Sequence, residues 1–340
     1  MSSILSTVVA FLVSLVLVRA LWSDALAQLV LDIPNERSLH ARPTPRTGGI
    51  GLMLGALAGW TLSGLWLELP GVPMTAGLAL GLAMTFLADD VRGLAVPVRF
   101  AAQFAVAIFF VAMTGGSPVW LLPFLVLGLV WSMNLYNFMD GANGLAGSMT
   151  VIGFGTLAFA ASQAGASDLA ALSGIVAAAA LGFLVWNWDP ARIFLGDAGS
   201  IPLGFLAAAI GVLGWQRGVW PFWFPALVFA VFIVDSGVTL AKRVAHGEKP
   251  WEAHRSHYYQ RLVRMGWSHR TMTSAAAALM VASAASALLL LLLRMPAAVV
   301  AVGLVGWGVA LTLVARAIDR RWRQSPERAA TIAERARAAQ

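Results

Sequence analysis

Five short polar clusters interrupt an otherwise apolar chain, and their residue types suit phosphate and divalent-cation chemistry. Asp89 and Asp90 stand side by side at the end of an apolar run. Adjacent acids repel, and carrying them on an apolar segment is costly unless they are paired, hydrated or metal-bound. The pair therefore suits a divalent cation or a polarised base, with a solvated helix end as the plain alternative. Residues 134–144 read N-L-Y-N-F-M-D-G-A-N-G, bringing Asn137, Asp140 and Asn143 together. Their amides and carboxylate can meet a nucleotide's polar edge or a metal's oxygen shell, and the glycines allow close backbone approach. Residues 189–200 read D-P-A-R-I-F-L-G-D-A-G-S, with Arg192 and Asp197 flanking a glycine turn before a helix start. Asp197 is the best single candidate for a Mg²⁺ ligand, because Mg²⁺ takes one or two carboxylates and completes its shell with phosphates and water. A helix cap with a surface ion pair is the alternative.

Two further clusters are basic. Residues 254–261 read H-R-S-H-Y-Y-Q-R, and His254, Arg255, His257 and Arg261 offer donors to phosphate oxygens. A zinc site would need further ligands, and the chain has no cysteine. Residues 32–51 are rich in Pro and Gly, with His40, Arg42 and Arg46 as candidate phosphate ligands or as simple orientation charges. The G-G-x-G string there lacks the βαβ context of a dinucleotide site. Asp235, inside an apolar run, is a functional candidate or a brace for a neighbouring helix.

The elements that position these clusters must be membrane helices. Hydrophobic residues make up 59% of the 340 and charged residues only 11%. Soluble domains carry roughly 25% charged residues. Backbone groups in hydrocarbon need internal partners, which leaves helices. The apolar runs predict an all-α polytopic bundle of about eleven spans, or ten: 3–22, 48–67, 72–88, 98–113, 119–136, 148–164, 170–188, 201–215, 219–240, 272–293 and 296–315. The fourth and eighth read as short. The first run is followed by Ala25-Leu26-Ala27, which resembles a cleavage site. No basic residue precedes the run, so it reads as an uncleaved helix. The organisation expected is a transmembrane domain over 1–315 and a basic tail over 316–340.

Arg37, Arg42, Arg46, Arg92, Arg99, Arg192, Lys242, Arg243, Lys249, Arg255, Arg261, Arg264 and Arg270 fall on one side of this topology, with the tail arginines. The other side holds Arg217 and Arg294. Positive loops favour the cytoplasm, which puts the N-terminus outside and the C-terminus inside. The same rule explains the +7 net charge without a nucleic-acid partner. All five polar clusters gather on the basic side, whereas a transporter needs polar groups through the membrane depth. A non-catalytic lipid-phosphate binding protein would have no need of Asp89, Asp90 and Asp197 together.

The ordered set D-x-P-N-x-R-S-x-H…P-x-P-R-x-G-G, D-D-x-x-G-L, N-x-x-D-G-x-N-G-L-A-G, F-L-G-D-A-G-S and H-R-S-H-x-Y-Q-R-L resembles the polyprenyl-phosphate N-acetylhexosamine-1-phosphate transferases, from about Asp32 to Arg261. That superfamily includes the phospho-N-acetylmuramoyl-pentapeptide translocase. The H-R-S-H-Y-Y-Q string replaces that branch's consecutive histidines and looks like the branch that initiates O-antigen or lipopolysaccharide sugar units. The resemblance implies transfer of N-acetylhexosamine-1-phosphate from a UDP-sugar to undecaprenyl or another polyprenyl phosphate, with release of UMP. It implies Mg²⁺ as cofactor, with Mn²⁺ as a substitute. It also implies a multi-pass protein of the bacterial inner membrane among membrane lipids, its site facing the cytosol, and it is compatible with a homodimer. It puts Asp89, Asp90 and Asp197 at the reaction and Asp197 and Asn137 at the metal. Arg46, Asn137, Asp140, Asn143, Arg192, His254, Arg255 and His257 fall at the substrates.

Overall fold

A computed structural model describes residues 2–23, 30–34, 39, 42–64, 71–249 and 254–328. The segments 25–27 and 329–340, with Arg37 and His40, lie outside these. The apolar runs fold as helices: α1 (Ser2–Ser23), α2 (Gly48–Leu62), α3 (Val72–Arg92), α4 (Val96–Thr114), α5 (Leu122–Phe138), α6 (Leu145–Gln163), α7 (Ser167–Asn187) and α8 (Asp197–Gln216). They continue as α9 (Trp223–Val228), α10 (Ala230–Ala245), α11 (Tyr258–Arg264), α12 (His269–Leu292) and α13 (Ala297–Gln324). Among the described residues, nine helices are long and apolar enough to cross a membrane, counting the short turn at Val119–Leu121 with α5. The chain is an all-α multi-pass membrane protein.

Several boundaries differ from the sequence expectation. The fourth and eighth helices are full-length, at 19 and 20 residues. The ninth run is not one helix. It breaks at Phe229 (φ −95°, ψ 14°), whose ring packs edge-on against Tyr136 and Phe154, with centroids 6.3 and 6.0 Å away. The last helix does not stop at 315 but runs unbroken to Gln324.

Small residues let α1, α2 and α7 approach closely. Gly51, Gly55 and Gly59 recur every fourth residue on α2 and face α1. A Cβ at these positions would meet Val18 at 2.6 Å, Ser14 at 2.7 Å and Ala10 at 2.8 Å. Membrane helices associate through such close packing because lipid supplies no hydrophobic drive. α8 is buried along almost its whole length and forms the centre of the bundle, with α3 and α5 packed against it. An all-round apolar helix belongs in such a core.

A two-residue ribbon closes one end. β1 (Leu31–Asp32) pairs antiparallel with β2 (Thr44–Pro45). The chain then docks on the turn before α8: Phe194 N–H donates to Pro45 O (2.7 Å), Gly48 N–H to Phe194 O (2.9 Å) and Gly49 N–H to Leu195 O (2.8 Å). The ribbon and all the polar clusters therefore meet at one end of the bundle.

Candidate active site

Asp197 is the first residue of α8, and its two carboxylate oxygens are held from different helices. Oδ2 accepts from Arg99 of α4 at 2.6 Å, and Oδ1 accepts from Asn137 Nδ2 of α5 at 2.6 Å. Asn137 also donates to Ser200 Oγ at 3.1 Å, which fixes its amide orientation. Arg99 reaches back to Asp89, with Nε 2.8 Å from Oδ2, so one guanidinium joins two carboxylates. Asp89 Oδ1 accepts from the Leu94 N–H at 2.6 Å, tying the carboxylate to the turn after α3.

Asp90 does different work from Asp89. Its Oδ2 accepts from Ala198 N–H at 3.0 Å and its Oδ1 from Asp197 N–H at 3.4 Å. Free N–H groups at a helix start favour a carboxylate acceptor. Arg46 completes this corner, with Nε 3.5 Å from Asp90 Oδ1 and NH2 donating to Asp90 O at 3.2 Å. Gly196 makes the approach feasible: its φ is +73°, and an added Cβ would strike the Arg46 carbonyl oxygen and come within 3.0 Å of Asp90 Oδ2.

One turn deeper in the bundle, Asn134 Nδ2 donates to Gln103 Oε1 at 2.7 Å and to Val130 O at 2.7 Å. Gln103 is 2% exposed. The pair joins α4 to α5, the two helices that carry Arg99 and Asn137. The pair is held in register because Gln103 is buried and has no water to turn to.

These groups border a polar cavity of about 300 Å³ lined by Asp197, Asn137, Asp140, Asn143 and Arg46, with Asp32, Asn187, Gln260 and His269 completing its wall. Asn143 donates to Asp189 Oδ1 at 2.8 Å, and Asn187 supports the same turn through the Gly144 N–H at 2.9 Å. Burial, and then the neighbouring Asp197 and Asp90, pushes the Asp140 carboxyl well above the ordinary carboxylate range. The cavity therefore gathers carboxyl groups at one wall and sets Arg46 against them.

The donor set fits Mg²⁺. Among the described residues, no three His, Asp or Glu side chains converge to enclose a metal ion by themselves. A hard cation here would use Asp197, Asn137 and Asp140 and fill its remaining positions with phosphate oxygens and water, the usual arrangement for Mg²⁺. The raised Asp140 carboxyl marks where a positive charge would be stabilised.

Residues 72–214 match the family model described as Glycosyl transferase family 4. A probable undecaprenyl-phosphate N-acetylglucosaminyl 1-phosphate transferase of Bacillus subtilis is 32% identical over 77% of this chain and 79% of its own length. The chain belongs to this glycosyl transferase family. A decaprenyl-phosphate N-acetylglucosaminephosphotransferase of Mycolicibacterium smegmatis is 29% identical over 70% of this chain and 69% of its own. A phospho-N-acetylmuramoyl-pentapeptide-transferase of Corynebacterium efficiens is 27% identical over 79% and 91%. The family assignment makes the protein a transferase enzyme. The matched region runs from α3 into the last turn of α8, so it contains Asp89, Asp90, Arg99, Asn137, Asp140, Asn143 and Asp197.

The sequence-predicted residues fall into three groups in space. Arg46, Asn137, Asp140, Asn143 and Asp197 line the cavity. Asp89 and Asp90 are 6% and 8% exposed and stand behind it, positioning Arg99 and the start of α8. The resemblance put both at the reaction; here Asp89 meets Arg99 and the Leu94 N–H, and Asp90 meets the first N–H groups of α8. His254, Arg255, His257 and Arg192 do not line the cavity. His257 is 2% exposed, because Asp235 of α10 accepts from or pairs with its Nδ1 at 3.1 Å. The same Asp235 carboxylate accepts from Tyr258 N–H (3.0 Å) and Tyr259 N–H (3.1 Å), so this acid braces the start of α11. A second acid, Asp319 of α13, holds α11 through Arg261 at 2.7 Å and the Tyr258 hydroxyl at 3.3 Å, and also pairs with Lys242 of α10. Among the described residues 254–261, Gln260 of α11 reaches the cavity wall.

Sequence reasoning treated Arg99 only as an orientation charge and passed over Gln103, Asn187, Gln260 and His269. Gln103 carried a signal: it lies one turn after Arg99 inside an apolar helix, where an amide needs a partner. Gln260 stood inside the H-R-S-H-x-Y-Q-R-L string without a role of its own, and Asn187 and His269 carried no signal, since each is a single polar residue in an ordinary place.

Proposed function

We propose that the protein transfers N-acetylhexosamine-1-phosphate from a UDP-sugar to undecaprenyl or another polyprenyl phosphate, releasing UMP. The observation that carries this reading is Asp197, clamped between Arg99 and Asn137 on the wall of an acidic cavity at one end of a membrane bundle. A site there can meet a water-soluble nucleotide and an acceptor whose tail stays in the bilayer. The names of the similar proteins support the transferred group and the acceptor class. The excess of basic residues at this end supports a cytosolic site in the bacterial inner membrane, with the N-terminus outside. The H-R-S-H-Y-Y-Q string supports initiation of a lipid-linked glycan such as O-antigen.

Phosphoryl transfer needs alignment and charge neutralisation more than covalent help from the protein. Mg²⁺, when bound, would supply the charge that neutralises the donor diphosphate. Asp197, Asn137 and Asp140 would hold it. Arg46 lines the same cavity and offers a planar, permanently charged donor to phosphate oxygens. Asn143, fixed by Asp189, would meet the polar edge of the nucleotide. Asp89 and Asp90 act by position, one through Arg99 and the other through the first N–H groups of α8. His254 and Arg255 would approach the donor from the loop, with His257 as their buried anchor. The acceptor phosphate carries its own nucleophilic oxygen, so direct displacement at the β-phosphorus requires no enzyme-bound intermediate.

The test is UMP release by the purified protein with undecaprenyl phosphate and a panel of UDP-sugars, with and without Mg²⁺. The expected result is metal-dependent release that needs both substrates and favours a UDP-N-acetylhexosamine. Acceptor-independent release, or no release with any sugar nucleotide while the protein stays folded, would overturn the reading. The absence of any metal requirement would remove the role given to Asp140 and Asn137.

A further inference from the structure

Two arginines stand apart from the acidic cavity and share one aromatic platform. Arg19 lies near the end of α1, and Arg192 follows α7 at the same end of the bundle. Both are exposed. Their guanidinium carbons sit 4.6 and 4.9 Å from the centroid of Trp22, and 5.3 and 5.4 Å from that of Trp186. The two indoles are stacked, with centroids 5.7 Å apart and planes 26° from parallel. The Trp186 N–H donates to Leu15 O at 3.0 Å, which fixes the platform to α1.

Cation–π attraction holds each guanidinium in place. It does not relieve the repulsion between two cations over one ring pair, which lie within about a Debye length (~8 Å) of each other. Neither guanidinium has a carboxylate partner among the described residues. An anion seated between them would remove that repulsion, and phosphate is one of the two groups whose oxygens a planar guanidinium matches bidentately.

The surroundings say what carries the phosphate. Val8, Leu12 and Val16 are exposed at 46%, 47% and 63% and form a stripe along α1 that leads to Arg19. Leu181 and Val185, exposed at 46% and 53%, form a similar stripe on α7 below Trp186. Stacked tryptophans above lipid-facing apolar stripes mark the level of the headgroups. We propose that Arg19 and Arg192 bind the phosphate of an anionic membrane phospholipid of the phosphatidylglycerol type, with its acyl chains along α1 and α7. Arg192 is thereby assigned to a resident lipid instead of to the sugar nucleotide. The inference stands apart from the transfer reaction, because its readout is lipid binding.

The experiment is native mass spectrometry of the purified protein titrated with dioleoylphosphatidylglycerol or dioleoylphosphatidylcholine. The variants are Arg19→Gln/Arg192→Gln and the charge control Arg320→Gln/Arg323→Gln, which removes two exposed arginines from the same end of α13. The wild type and the control are expected to hold the anionic lipid in preference to phosphatidylcholine. The Arg19→Gln/Arg192→Gln protein is expected to bind it roughly tenfold more weakly or worse, given the strength of a basic residue at an anionic surface. The single variant Arg19→Lys, which keeps the charge, should retain most of the binding. An equal loss in the control would reduce the effect to general surface charge and overturn the proposal. Equal binding of phosphatidylcholine would do the same. Displacement of the anionic lipid by one equivalent of undecaprenyl phosphate would move the pair to the acceptor site and also overturn it.

Discussion

Replacing Asp197 by Asn keeps the size of the side chain and removes its charge, so it separates chemistry from packing. The Asn137 amide donates to both Asp197 Oδ1 and Ser200 Oγ, and is thereby committed as a donor. The single oxygen of the substituted amide would serve Asn137, and its new NH₂ group would then face the Arg99 guanidinium. A charge-assisted hydrogen bond is worth ~1.5–3 kcal/mol. Arg99 is 32% exposed and keeps Asp89, so solvent and the second acid recover part of this. The expected stability loss is therefore about 1 kcal/mol, a melting shift of a few degrees. The expected loss of turnover is far larger. Removing one preorganised electrostatic group from a reaction centre costs roughly 10²–10³ in rate. The assay is UMP release by purified wild type and variant at saturating Mg²⁺, beside a melting curve of each. Turnover within about threefold of wild type would refute the role of Asp197. A collapse in melting temperature that matches the loss of activity would reduce Asp197 to a structural residue.

The amide pair gives a second prediction: Gln103→Met should lower kcat severalfold and destabilise the protein by ~1–2 kcal/mol, since Asn134 loses a buried acceptor. Unchanged kinetics would show that the clamp does not reach Asp197. Asp140 gives a pH dependence. Its carboxyl is held well above the ordinary range by burial and by Asp197 and Asp90, so a proton competes with a cation here up to a higher pH than at an ordinary carboxylate. Mg²⁺ activation should therefore strengthen as pH rises, with proton release on binding, and Asp140→Asn should flatten the trend. Gly196→Ala should abolish activity, because it forces a side chain into φ +73° and against the Arg46 carbonyl; a normal melting curve with full turnover would contradict this. For orientation, the native chain has no cysteine, so single cysteines at Arg42, Arg192 and Lys249 report cleanly. They should label with impermeant reagents only after the membrane is opened.

How much of this was legible beforehand depends on the range of the interaction concerned. The helices were legible because an apolar run in lipid has one way to satisfy its backbone, and that requirement is local. The gathering of the polar clusters at one end followed from span parity alone. The ends of α8 and α13 were misplaced because length limits drawn from the hydrocarbon thickness ignore helix that continues beyond it. The break at Phe229 depended on rings from α5 and α6, which no reading of residues 219–240 contains.

The site divides in the same way. Residue type together with the family resemblance singled out Asp197, Asn137, Asp140, Asn143 and Arg46, which line one cavity. Their division of labour was not available in one dimension. Asp89 and Asp90 are neighbours in sequence, yet one carboxylate turns to Arg99 and the other to the N–H groups of α8. His257 carries a phosphate ligand's chemistry, but Asp235 holds it inside the protein. Arg192 stands five residues before Asp197 in the chain and stacks on tryptophans from α1 and α7. A side chain's chemistry is fixed by its covalent structure, which the sequence states. Its role is set by the partner that reaches it first, and that partner comes from a helix elsewhere in the chain.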